Sequence, residues 1–188
     1  MGDGRGRHGV HVGTAALDHL VRDVRQRGNA VTSGDIGYRY LLQALAAGGR
    51  SDVIFDMASR TDTPSYGYQL KKGATALAEA WDANPKLSQN HCMLGHIEEW
   101  FYRSLAGIDA APDAVAFDKI VIRPQVVGDI RWAEGRYRSP RGEIVSRWRI
   151  ENGKFLLRVK IPVGSIATVY LPGASPVEVG SGEHEFVH

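Results

Sequence analysis

The sequence predicts a mainly α-helical part followed by an all-β part built as an antiparallel sandwich, and three observations predict it. Apolar residues recur at a period near 3.6 up to Leu105, then alternate with polar ones from Phe117 onward. Between the two patterns lies Asp109-Ala110-Ala111-Pro112-Asp113, whose composition suits a connecting loop. Within the alternating region Asn152-Gly153 separates two strand-like runs, as a type I′ hairpin turn requires. The expected organisation is a polar, unassigned segment over 1–12, a helical domain over 13–108 and a β-sandwich over 109–188.

Leu17, Leu20, Val21 and Val24 form one apolar helical stripe, and Tyr38, Leu41, Leu42 and Leu45 form a second. The second helix is expected to start after Thr32-Ser33-Gly34-Asp35, which offers capping side chains, and to stop at Gly48-Gly49. A short helix follows over about 51–60, then the turn-prone Thr63-Pro64-Ser65. A helical stretch is expected through Gly73 to Trp81, and a last helix from about Met93 to Leu105, closed by Gly107. In the second half, Ile144, Ser146, Trp148 and Ile150 share one strand face, as do Phe155, Leu157, Val159 and Ile161. Further strands are expected over 117–123, 130–137, 166–171 and 177–179, giving roughly seven in all.

The totals exclude several function classes. A hydrophobic fraction of 43% with 23% charged residues describes a globular chain rather than a disordered one. A formal charge of +2, from 23 basic and 21 acidic residues spread along 188 positions, leaves no basic stripe for nucleic acid or a membrane surface. The single cysteine, Cys92, excludes an intrachain disulfide framework. The opening MGDGRGRHGV has no apolar core for a signal peptide, so the chain as written is expected in the cytoplasm, with export of a longer parent left open. The same glycine-rich stretch lacks the strand and the Lys-Ser/Thr pair of a phosphate-binding loop. Five helices with broad apolar surfaces lack enough partners to bury them within 13–108, so the helical half reads as a piece of a larger domain.

Three consecutive segments carry a resemblance: GDIGYRYLLQAL from Gly34, TPSYGYQLKKGATALAEAWDA from Thr63, and SQNHCMLGHIEEWFYRSLAGI from Ser88. They resemble motifs near the end of the catalytic domain of family 78 glycoside hydrolases, the α-L-rhamnosidases. IVIRPQVVGDIRWAEGRYRSPRGEIVSRW from Ile120 is similar to the start of the β-domain that follows in that family. The resemblance implies the end of an (α/α)6 toroid followed by a C-terminal β-sandwich. It also implies inverting hydrolysis, which needs one carboxylic acid to protonate the departing oxygen and one carboxylate to activate water. The family's acid lies in an upstream motif that nothing here matches. The family's base is the glutamate of GATTxWExW, which falls on Glu79 of GATALAEAW. Where the family often has Trp before that glutamate and Arg after it, Ala78 and Ala80 stand here.

Read from residue type alone, Glu79 is equally a solvated helix carboxylate or a partner of Lys71 or Lys72. His91, beside Asn90, aligns with a family histidine that reaches the sugar or orients the base, and a histidine that only serves the backbone is the plain alternative. Tyr66, Tyr68 and Trp81 could cover the methyl group and apolar face of a 6-deoxy sugar, or belong to the core. Trp100, Phe101 and Tyr102 read as packing residues. The spacing of His91, Cys92, His96 and Glu99 raises a metal site, but one cysteine is few for structural zinc, and no metal or other cofactor is expected.

The reading is therefore part of an inverting glycoside hydrolase that releases α-L-rhamnose from a glycoside or polysaccharide, with Glu79 as base and His91, Asn90, Trp81 and Tyr66 as sugar contacts. On its own the chain is expected to be inactive for want of the acid. Two alternatives stay open: a carbohydrate-binding piece without catalysis, and a related barrel lyase.

Overall fold

The structure, a computed structural model, describes residues 13–188, so the opening segment 1–12 with its glycine-rich sequence lies outside it. The chain divides into two compact units, with the boundary between Glu98 and Glu99.

The first unit is helical. Its elements are α1 (Thr14–Gln26), α2 (Asp35–Ala47), α3 (Ser51–Ser59) and α4 (Tyr66–Lys71), followed by a long irregular segment and a 3₁₀ turn at Cys92–Leu94. The apolar stripes meet as expected. Val21 and Val24 of α1, Tyr38, Leu42 and Leu45 of α2, and Val53, Ile54 and Met57 of α3 are all buried. Neither Thr32 nor Ser33 caps α2. Gly34 takes the N-cap position, and the Asp35 carboxylate accepts the Ile36 N–H at 2.9 Å. The helix stops where the glycines predict. Gly49 adopts φ 72°, the Gly49 N–H reaches the Ala46 carbonyl, and the Arg50 N–H reaches back to the Leu45 carbonyl at 2.8 Å.

The same device overturns one expectation. The sequence predicts helix through Gly73 to Trp81, yet α4 ends at Lys71. Gly73 adopts φ 86°, its N–H bonds the Leu70 carbonyl, and the Ala74 N–H closes on the Gln69 carbonyl at 3.0 Å. This left-handed stop ends the α4 ladder before Ala74. Lys71-Lys72-Gly73, basic residues and then glycine, is the sequence signature of such an end.

The second unit opens with the end of α5 (Ile97–Trp100) and a π-helical turn (Phe101–Leu105). The three adjacent aromatics point differently: Trp100 is buried and Phe101 is exposed. Eight strands follow: β1 (Ile108–Ala110), β2 (Lys119–Ile122), β3 (Trp132–Ser139), β4 (Gly142–Glu151), β5 (Lys154–Ile161), β6 (Ile166–Val169), β7 (Val177–Val179) and β8 (Gly182–Val187). They form two four-stranded sheets, β1-β2-β6-β7 and β3-β4-β5-β8. The sequence missed β1 and β8. The expected loop begins at Asp109 and the expected helical domain ends at Ile108, but the backbone of Ile108–Ala110 pairs with β2, Asp109 lying opposite Val121. Every pairing is antiparallel except β2 with β6, a parallel pair whose crossover is the β3–β5 meander of the other sheet.

The hairpin turn is as expected, with Asn152 at φ 52° and Gly153 at φ 76° between the paired Glu151 and Lys154. Between the sheets lies one core. Ile120, Ile122, Ala167 and Val169 come from one side, and Ile144, Trp148, Leu157, Val159 and Ile161 from the other. Two polar groups of β4 reach the backbone just before β1: Ser146 Oγ donates to the Ala106 carbonyl at 2.7 Å and Trp148 Nε1 to the Leu105 carbonyl at 2.8 Å.

Candidate active site

The residues singled out from the sequence lie in the helical unit, most of them on the irregular segment 74–91 between α4 and the 3₁₀ turn. With no regular helix, this segment satisfies its backbone by other means. The Glu79 N–H donates to the Ser88 carbonyl at 2.8 Å and the His91 N–H to the Leu77 carbonyl at 2.7 Å, so 77–79 runs alongside 88–91. Asn84 shapes the tip. Its Oδ1 accepts the Lys86 N–H at 3.0 Å, and its carbonyl accepts Gln89 Nε2 at 3.0 Å.

Glu79 is exposed on this closed loop. Its Oε2 accepts the Ser88 N–H at 3.1 Å, and among the described residues its carboxylate forms no ion pair with Lys71 or Lys72. Lys72 lies instead over the Tyr68 ring, 5.3 Å from its centre. A carboxylate anchored through one oxygen and open at the other can accept a proton from a water molecule. His91 is half-buried, with Nε2 3.8 Å from Asp35 Oδ2 at the start of α2, and Asn90 is exposed with its N–H on Ser88 Oγ at 3.3 Å.

Tyr66 and Trp81 form an aromatic cluster with Tyr38. Their rings meet edge to face, Trp81 lying 4.8 Å from Tyr38 and 5.0 Å from Tyr66 between ring centres. Trp81 Nε1 donates to the Ser33 carbonyl at 2.8 Å, and the Tyr66 hydroxyl donates to the Leu94 carbonyl. Both polar handles are thus committed to the protein, leaving the half-buried rings as apolar surface. Burial pushes the Tyr66 and Tyr38 phenols up, so both stay neutral across the working pH range. The Tyr38 hydroxyl lies next to that of Tyr66.

Sequence reasoning missed two residues of this region. Gln69 is 2% exposed and binds the backbone on both sides of Glu79. Asp35 faces His91. A lone glutamine in a short helix and an aspartate at a helix start give no signal of such roles in a single sequence. Among the described residues no three His, Cys, Asp or Glu side chains gather as a metal ion needs, and 91–96 is a 3₁₀ turn and a further turn before α5 rather than the continuous helix that would align His91, Cys92 and His96. Nor is any helix among them long and apolar enough to cross a membrane.

Residues 10–105 match the model of the bacterial α-L-rhamnosidase six-hairpin glycosidase domain, and residues 107–186 that of the bacterial α-L-rhamnosidase C-terminal domain. The chain belongs to the bacterial α-L-rhamnosidase family. The stretch matching the six-hairpin glycosidase domain precedes the stretch matching the C-terminal domain, in the order the motifs implied. An α-L-rhamnosidase of Streptomyces avermitilis is 30% identical over 92% of this chain, which covers 19% of that protein. The crystal structure of an α-L-rhamnosidase from Aspergillus terreus superposes with a TM-score of 0.85 at 30% identity, over 92% of this chain and 21% of the other. That of a Streptomyces avermitilis α-L-rhamnosidase complexed with L-rhamnose superposes with a TM-score of 0.84 at 30% identity, over 93% and 19%. The chain therefore spans about a fifth of the length of the rhamnosidases it matches.

Proposed function

We propose that this chain supplies the water-activating half of an inverting glycoside hydrolase that releases α-L-rhamnose from glycosides or polysaccharides, with Glu79 as general base. The observation that carries the reading is the Glu79 carboxylate itself, exposed and held through Oε2 by the Ser88 N–H; the resemblance of GATALAEAW to the family motif supports its reading as the base. In the reaction, Glu79 takes a proton from water as the water oxygen bonds the anomeric carbon. The bond to the departing oxygen breaks on the opposite face, and that oxygen takes a proton from a carboxylic acid. His91 and Asn90 would hold sugar hydroxyls. Trp81 and Tyr66, with their N–H and O–H already engaged, would meet the sugar through ring surface alone.

No motif in these 188 residues matches the family's acid. The chain by itself is accordingly expected to leave aryl α-L-rhamnosides intact, because their departing oxygen needs a proton. α-L-Rhamnosyl fluoride separates the two halves of the chemistry, since fluoride departs without one. The expected result is fluoride release with β-L-rhamnose as the first sugar formed, reduced about 10²-fold or more in Glu79→Gln. Fluoride release unchanged in Glu79→Gln would overturn Glu79 as the base, and its absence from the unsubstituted chain would overturn the claim that this chain alone supplies the water-activating half. Turnover of an aryl rhamnoside that depends on Glu79 would overturn the missing acid.

A further inference from the structure

We propose that Gln69 is a positioning residue for Glu79, its buried amide setting where the carboxylate stands. The inference rests on the reading of Glu79 as base. Oε1 of Gln69 accepts the Ala78 N–H at 3.1 Å, and Nε2 donates to the Ala80 carbonyl at 3.0 Å, with the Ala78 carbonyl at 3.4 Å. The backbone immediately before and immediately after Glu79 is therefore held by one side chain. That side chain cannot wander: Gln69 is 2% exposed, and its own carbonyl accepts the Ala74 N–H in the left-handed stop at Gly73.

From the other side the loop is held by the Glu79–Ser88 backbone bond, so Glu79 sits between a buried clamp and an exposed one. Only a group with an acceptor and a donor about one amide apart satisfies both Ala78 and Ala80. Methionine has the length and neither function. An ionised carboxylate has two acceptors and would face the Ala80 carbonyl with like polarity. A neutral carboxylic acid has one of each and matches.

The amide proton of Ser88 reports the geometry, because it donates to Glu79 Oε2 and shifts as that carboxyl ionises. In the isotope-labelled full chain it should move downfield in one step as pH rises. In Gln69→Met that step should collapse while amides of the β-sandwich stay in place. In Gln69→Glu burial raises the introduced carboxyl, so the Ser88 amide should first move as in the unsubstituted chain and then return as the introduced group ionises. With α-L-rhamnosyl fluoride, kcat should fall about 10²-fold in Gln69→Met with KM kept, as a displaced base predicts.

A Ser88 amide that titrates in Gln69→Met as it does in the unsubstituted chain overturns the proposal. If Gln69→Met does not fold, a single-step profile in Gln69→Glu does the same. Failure of the base assignment reads out elsewhere, as fluoride release that survives Glu79→Gln, and leaves the Ser88 measurement valid.

Discussion

Glu79 and Ser88 hold each other twice: the Ser88 N–H donates to Glu79 Oε2 at 3.1 Å, and the Glu79 N–H donates to the Ser88 carbonyl at 2.8 Å. The backbone bond closes the loop whatever side chain stands at position 79. The side-chain bond survives replacement by glutamine, which keeps an acceptor oxygen. Glu79→Gln should therefore change stability by less than about 0.5 kcal/mol, and Glu79→Ala should cost up to about 1 kcal/mol. Urea denaturation checks both. A loss well above 1.5 kcal/mol in Glu79→Gln would mark the carboxylate as a structural group.

Trp81 is tied into the helical unit by its N–H on the Ser33 carbonyl and by edge-to-face contacts with Tyr38 and Tyr66. Trp81→Phe keeps an aromatic ring and loses the hydrogen bond, at a cost of about 1 kcal/mol. Trp81→Ala also loses the ring contacts and should cost about 3 kcal/mol. The check is the shift in denaturation midpoint. Equal stability of Trp81→Phe and the unsubstituted chain would remove the Ser33 bond from the account of this cluster.

Where local chemistry dictates the backbone, the sequence was legible. Asn152-Gly153 accepts the positive φ values of the hairpin turn, and Gly48-Gly49 ends α2, because few other residues do so cheaply. The two missed strands fail that criterion. Ile108–Ala110 is three residues long beside a proline-containing loop, and Gly182–Val187 carries glutamates and a histidine on an edge, so neither shows a period of two in apolar residues. Around the candidate site a family motif pointed to Glu79 and His91, but the loop's conformation depends on long-range bonds. Gln69 reaches Ala78 and Ala80 across nine and eleven positions, and no local pattern encodes that.

Trp148 is wholly buried between the sheets, stacked at 5.7 Å on Phe155, with its N–H on the Leu105 carbonyl. Replacement by phenylalanine leaves a void and a carbonyl without its donor. Trp148→Phe should cost about 2–4 kcal/mol, from the cavity and the lost bond together. The loss should appear as a lowered denaturation midpoint for the β-sandwich signal. A cost below about 1 kcal/mol would mean that the core closes around the smaller ring.

Asp52, in the first turn of α3, accepts both Arg50 Nε at 2.9 Å and an Arg50 terminal nitrogen at 2.8 Å, and Arg25 adds a third bond at 3.1 Å. The Arg50 hydrogen bonds hold its carboxyl below the usual aspartate range, against the opposing pull of partial burial. A carboxyl lowered on folding binds its proton more readily in the unfolded chain. It therefore adds stability at pH values above the unfolded value of about 4, and that contribution disappears as pH falls through the folded value. The group is half-exposed, so solvent screening keeps the pair within the surface range of about 0.2–1 kcal/mol. Asp52→Asn should consequently be less stable than the unsubstituted chain at neutral pH by that amount. Denaturation at stepped pH should show the gap closing on acidification, and about 1 M salt should shrink it at neutral pH. A gap independent of both pH and salt would mean that Asp52 acts through its neutral hydrogen-bonding shape, as an asparagine also can, and not through its charge.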